Sequence, residues 1–152
     1  DEEYMVLPFL SAKSVVYYDL DIYRYLVGNP AQSTSPRNRA NYAGHREQVA
    51  RRLLDACDKE EQNSIAARYC FFRTAQAAGD HLTTLYMFLP DRKAGREAGL
   101  GWERFLREDH PKVYTAVRRK GFLLRQLNRL HVSLSGYERL KQAVQQIRMG
   151  RG

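Results

Sequence analysis

Three observations predict a mainly α chain: a short N-terminal helix and one or two β-strands, followed by a bundle of four to six helices. Val15-Val16-Tyr17-Tyr18 and then Ile22 to Val27 are β-branched and aromatic runs separated by Asp19 to Asp21, which suits two short strands or one bent strand. From His45 onward, apolar residues recur at three- and four-residue intervals, the period of a helix with one buried face. At the start, acids precede an apolar run, and acids in a first turn complement the positive end of a helix dipole.

Taken in order, Asp1 is the expected N-cap of a helix from Glu2 to Ala12, which Pro8 should bend or shorten. In the second strand run, alternation puts Tyr23, Tyr25 and Val27 on one face and Ile22, Arg24 and Leu26 on the other. Arg24 thus projects from an apolar row, where it calls for an anionic partner. Gly28-Asn29-Pro30 ends the run. Gln32, Ser33, Thr34 and Ser35 follow, short hydrogen-bonding side chains that suit phosphate or sugar hydroxyls and equally suit an ordinary polar loop. Pro36 to Gly44 is polar, carries Arg37 and Arg39, and reads as a linker dividing residues 1–36 from residues 37–152.

The bundle begins with a helix bearing Val49, Leu53, Leu54 and Cys57 on one face and ending near Asp58-Lys59. Glu60 to Leu89 is the expected central helix, with Ile65, Phe72, Ala78, Leu82, Leu85 and Tyr86 in its rhythm, an interruption at Gly79 and a stop at Pro90. Asp91 to Gly101, with three glycines and five charges, reads as loop or frayed helix before a short helix containing Trp102, Phe105 and Leu106. Pro111 opens the next helix, which runs to about Leu130 with Val113, Val117, Leu123, Leu124 and Leu127 facing the core. Arg118, Arg119, Lys120, Arg125 and Arg129 form its basic flank. Ser135, with Glu138 three residues on, has the spacing of a capping box for a last helix carrying Tyr137, Leu140, Val144 and Ile147.

The net charge of +8 is unevenly placed. Residues 1–35 hold five acids against two bases, so the helical part carries an excess of eleven positive charges. Nucleic acid, anionic lipid headgroups or an anionic polymer would each answer that charge. Cys57 and Cys70 have neither C-x-x-C nor Cys/His spacing, so they predict buried reduced thiols and no zinc site. His45, His81, His110 and His131 are likewise too scattered for a metal motif. No apolar run approaches 18 residues, which excludes a membrane-spanning helix and makes a cytoplasmic location the default.

Asp1-Glu2-Glu3-Tyr4, Pro8, Ala12-Lys13, Tyr18, Leu20 to Tyr25, Gly28 and Gln32-Ser33, in that order and spacing, resemble the closing part of the catalytic domain of bacterial family-2 glycosyltransferases. Those enzymes have the GT-A α/β fold and build surface polysaccharides. The chain departs from the family pattern at Asn29, where arginine is usual, and at Pro30-Ala31. The resemblance covers roughly the first 35 to 45 residues, and more loosely the rest resembles the helical C-terminal extension of such enzymes.

The resemblance implies a sugar transferred from a nucleoside diphosphate to a polysaccharide or lipid-linked acceptor. Asp1 would be the catalytic base and Glu3 its acceptor-side or structural partner, while Arg24, Gln32 and Ser33 would face the donor diphosphate. The donor and a divalent Mg or Mn ion would be held by a nucleotide-binding half preceding Asp1, so these 152 residues alone are expected to be inactive and to bind no cofactor. Asp19-Leu20-Asp21 has D-x-D spacing, yet the family's metal motif lies far upstream, so no metal ligand is assigned here. Arg118, Arg119 and Arg125 are the candidates for docking on the anionic inner face of a membrane or on the acceptor. The competing reading is a basic helical nucleic-acid-binding or regulatory module; it lacks a helix-turn-helix signature, and no nucleic acid is expected as a partner.

Overall fold

The computed structural model describes residues 2–12, 14, 16, 18–19, 36–59 and 64–149. They form α1 (Glu2–Ser11), α2 (Pro36–Asn41), α3 (Ala43–Lys59), α4 (Ile65–Thr83), a π-turn (Thr84–Phe88), α5 (Arg92–Asp109), α6 (Pro111–Arg129) and α7 (Leu134–Met149). The mainly α expectation holds, and there is no strand among the described residues. The expected strands fall largely outside those residues; Val16 and Tyr18, which are described, are exposed and not in a strand.

The main core joins α3, α4, the π-turn, α5 and α6 through Leu54, Leu82, Tyr86, Trp102, Leu106 and Leu124. A smaller core seats α1: Val6 is fully buried against Leu53 of α3 and Cys70 of α4. Burying one such valine contributes roughly 1.5–3 kcal/mol, which a ten-residue helix needs because it is marginal alone. The stretch expected to be a linker is instead helical, since α2 continues almost directly into α3. Its Arg39 guanidinium lies 4.7 Å from the centre of the Phe88 ring.

The central helix is shorter than expected and breaks elsewhere. Ser64 caps α4 by accepting from the Ala67 amide at 2.9 Å, and α4 passes through Gly79 without interruption. The break comes where Thr83 and Thr84 donate their hydroxyls back to the Gly79 and Asp80 carbonyls, at 2.9 and 3.0 Å. Such back-bonding competes with the helical ladder and accompanies its widening into the π-turn. Ile65 and Phe72, expected inside, are 76% and 62% exposed.

Asp91 to Gly101, read as loop or frayed helix, opens an unbroken helix instead. Asp91 is an N-cap, accepting from the Lys93 and Ala94 amides at 2.8 and 3.2 Å, and α5 runs from Arg92 to Asp109 without a break. Two of the three glycines that suggested a breaker, Gly95 and Gly99, are there for clearance. A Cβ at Gly95 would sit 2.4 Å from the Leu85 carbonyl oxygen, and one at Gly99 would sit 2.5 Å from the Tyr86 ring.

Pro111 occupies the first turn of α6, as expected. Leu123, expected inside, is 49% exposed, whereas Leu124 is buried. The helix ends in a Schellman motif: the Val132 amide donates to the Leu127 carbonyl and the His131 amide to Asn128, with His131 at φ 55°. α7 then starts at Leu134, its cap two residues ahead of the expected one. Ser133, not Ser135, accepts from the Gly136 amide, so Glu138 is not in register for a capping box.

Candidate functional site

Of the residues proposed from sequence, Asp1, Arg24, Gln32 and Ser33 lie outside the described residues. Glu3 is described and ion-paired, its Oε1 3.2 Å from Nη1 of Arg52 on α3. Three further contacts hold the same helix. Phe9 packs against Tyr69 with ring centres 4.5 Å apart, Arg73 donates to the Met5 sulfur at 3.6 Å, and Val6 fills the small core. Among the described residues, no group of three or more His, Cys, Asp or Glu side chains is placed to hold a metal ion.

The basic residues divide. Arg118 and Arg119 are exposed on α6, whereas Arg125 is half-buried with its Nη1 3.6 Å from Oε2 of Glu103. The expectation that Arg125 lies outside the core therefore needs correction. Glu103 is itself buried and accepts from the Tyr86 hydroxyl at 2.7 Å, while Asn128 donates to the Tyr86 carbonyl at 2.7 Å. Burial and the bond to Glu103 raise the Tyr86 phenol well above its ordinary range. The cluster locks the π-turn to α5 and α6 and offers no proton near neutral pH.

A row of rings lies where α3 meets α5. His81 stands edge-on to Trp102 at 4.9 Å; Trp102 and Phe105 are 5.1 Å apart, and Phe105 meets His110 edge-on at 5.1 Å. Arg51 lies over both inner rings, 4.0 Å from the Phe105 centre and 5.3 Å from that of Trp102, and is held by Glu47 one helical turn away at 2.8 Å. Trp102 also donates its indole N–H to the Ala78 carbonyl.

Each end of the row opens into a cleft. The smaller, about 210 Å³, is lined by Glu47, Arg51, His81, Leu85, Ala98 and Trp102. His81 is 1% exposed, and neither ring nitrogen has a hydrogen-bond partner; its Nε2 is 3.8 Å from Glu47. Burial pushes the imidazole down to about 4, with Glu47 opposing and Arg46 and Arg51 assisting, so it is neutral at pH 7.

The larger cleft, about 530 Å³, is lined by Cys57, Asp58, Arg68, Phe71, His110 and Lys112 among others. Asp58 Oδ2 lies 2.9 Å from His110 Nδ1, within ion-pair distance, although that nitrogen makes no hydrogen bond among the described residues. The Cys57 thiol faces the same space. Burial, then Cys70, pushes the Cys57 thiol up to about 12, so it stays protonated at neutral pH. The cleft thus has ionic and hydrogen-bonding groups but no activated nucleophile. Cys57 and Cys70 form no disulfide; Cys70 is buried as the sequence reading had it, whereas Cys57 is half-buried at the cleft.

Sequence reasoning gave no functional role to the residues that make these clefts: it read Cys57 as a buried thiol, Leu85 and Trp102 as helix residues, and His81 and His110 as too scattered for a metal. Glu47 and Arg51 were legible as an i,i+4 pair, but His81, Trp102 and His110 come together only through the packing of α4, α5 and the α5–α6 corner. Family models, characterised proteins and solved structures yield no match to the chain.

Proposed function

We propose that the chain is the C-terminal part of an inverting sugar transferase that moves a sugar from a nucleoside diphosphate to a hydroxyl of a polysaccharide or lipid-linked acceptor. The observation that carries this reading is the anchoring of α1. An acid that takes a proton from an acceptor hydroxyl must be held within hydrogen-bond reach of it, about 3 Å, which a fraying terminal helix does not achieve. Here the helix that follows Asp1 is pinned by Glu3 to Arg52, by Val6 and by the Phe9–Tyr69 contact.

In this reading Asp1 receives the acceptor proton as the acceptor oxygen bonds to the sugar and the sugar–diphosphate bond breaks. Glu3 fixes the helix, while Arg24, Gln32 and Ser33 face the departing diphosphate. A nucleotide-binding half supplies the donor site and the divalent metal. In a protein carrying that half, Asp1→Asn should lower turnover by about two orders of magnitude or more and leave donor binding nearly intact. Near-normal turnover in that variant would end the assignment. Arg52→Ala, which releases Glu3, should cost roughly tenfold in turnover through misplacement of the helix.

A further inference from the structure

We propose that the outer face of α6 docks on an anionic phospholipid bilayer. The proposal stands apart from the sugar-transfer reading, because it rests on α6 alone. The 19 residues of this helix hold six cations and no acid. Two cations are neutralised within the fold: Lys120 Nζ lies 2.9 Å from Asp80, and Arg125 lies against Glu103. Among the described residues, Lys112, Arg118, Arg119 and Arg129 have no carboxylate within ion-pair reach, and all four are exposed.

At about 100° per residue, Arg118, Arg119, Phe122, Leu123, Arg129 and Leu130 share one arc of roughly 140°. The opposite arc carries Val113, Val117, Leu124 and Leu127 into the core. Phe122, Leu123 and Leu130 are 56%, 49% and 74% exposed, so the solvent-facing arc is apolar as well as basic.

That combination selects the partner. Phosphates of a nucleic acid would satisfy the arginines but would gain nothing from two exposed leucines and leave them in water. A bilayer interface takes both. Its headgroup phosphates bind the guanidinium groups, and the acyl boundary beneath them receives Phe122, Leu123 and Leu130 while the helix lies in the plane of the surface. No described helix is long and apolar enough to cross a membrane, so this contact would be peripheral.

The test is sedimentation of the 152-residue chain with phosphatidylcholine vesicles that contain or lack phosphatidylglycerol. Binding is expected to the anionic vesicles alone, strong at low salt and falling steeply by about 0.5 M, where screening acts over a few Å. Changing Arg118, Arg119 and Arg129 together to Gln should weaken it by about a hundredfold, since each cation near such a surface contributes a factor of roughly five. Changing Phe122, Leu123 and Leu130 to Ser should weaken it at least about tenfold, with circular dichroism confirming that the helices remain. A control with Lys93, Arg104 and Arg107 of α5 changed to Gln should bind as the parent does. Failure to bind anionic vesicles at low salt overturns the proposal. So does a control that loses as much affinity as the α6 arginine variant. If the serine variant keeps its affinity while duplex DNA binds more tightly than vesicles, the face reads nucleic acid instead.

Discussion

The seam between the π-turn and α5 and the outer face of α6 depart from the apolar-inside, polar-outside rule in opposite senses. At the seam, Glu103, His81, Asn128, Thr83 and Thr84 are buried; on α6, Phe122, Leu123 and Leu130 are in water. Inside, most of the polar atoms have a partner within the fold, because an unsatisfied buried group costs about 1–3 kcal/mol. Tyr86 serves Glu103, the threonines return to carbonyls of their own helix, and Asn128 takes the Tyr86 carbonyl. Outside, neither the leucines nor the four cations beside them find a partner among the described residues. A buried polar group with partners explains itself structurally, whereas an exposed apolar group among unpaired cations points to something beyond the fold.

The sharpest way to break the comparison is to fill the seam. Gly95→Ala should destabilise by about 3 kcal/mol, because the new methyl meets a backbone carbonyl that has nowhere to move, and Gly99→Ala by a similar amount against the Tyr86 ring. Gly101→Ala, with nothing within 4 Å of its added Cβ, should instead stabilise by about 1 kcal/mol through helix propensity. Urea midpoints would decide, and equal stability of the Gly95 and Gly101 variants would mean that the seam is not close-packed.

Those glycines also mark what the sequence could convey. The mainly α class, the Pro111 start, the stop at Pro90 and the faces of Leu53, Leu82 and Val117 follow from periodicity and terminal residues, whereas α2, short and polar, read as a linker. The glycines of α5 could not be told from loop or frayed helix, because a local rule sees a glycine's flexibility and not the Leu85 and Tyr86 atoms that come to lie against Gly95 and Gly99 from another element. Arg118 and Arg125 looked alike for the same reason. The carboxylate that separates them, Glu103, lies on a different helix. Of the candidate site, the acids at the start of α1 were legible and the Glu3–Arg52 pair was not, since its partners are 49 residues apart.

Buried polar groups should also make the inside sensitive to pH in a way the outside is not. His81 has its native value lowered from 6.5 to about 4, so below 6.5 the unfolded chain binds a proton that the folded chain refuses. Its contribution is therefore fully present above pH 6.5 and lost as pH falls toward 4, about 2 kcal/mol between pH 7 and pH 5. His81→Gln should remove that part of the slope in stability measured by urea unfolding across this range. An unchanged slope would show that the imidazole protonates in place, for instance against Glu47.

The smallest expected effect is the most direct check on which way α6 faces. Leu123 and Leu124 are adjacent and chemically identical, and periodicity alone put both in the core. Leu124 is 1% exposed and packs in the main cluster, so Leu124→Ala should cost about 2–5 kcal/mol from lost burial and the cavity left behind. Leu123 is half in water, so Leu123→Ala should change stability by less than about 0.5 kcal/mol. The same substitution should weaken attachment to anionic vesicles, because in the bound state that side chain is the one leaving water. A Leu123 variant as unstable as the Leu124 variant would rotate the helix by about 100° and take Phe122 and Leu130 with it. The apolar stripe would then belong to the core, and the difference between the two regions would disappear.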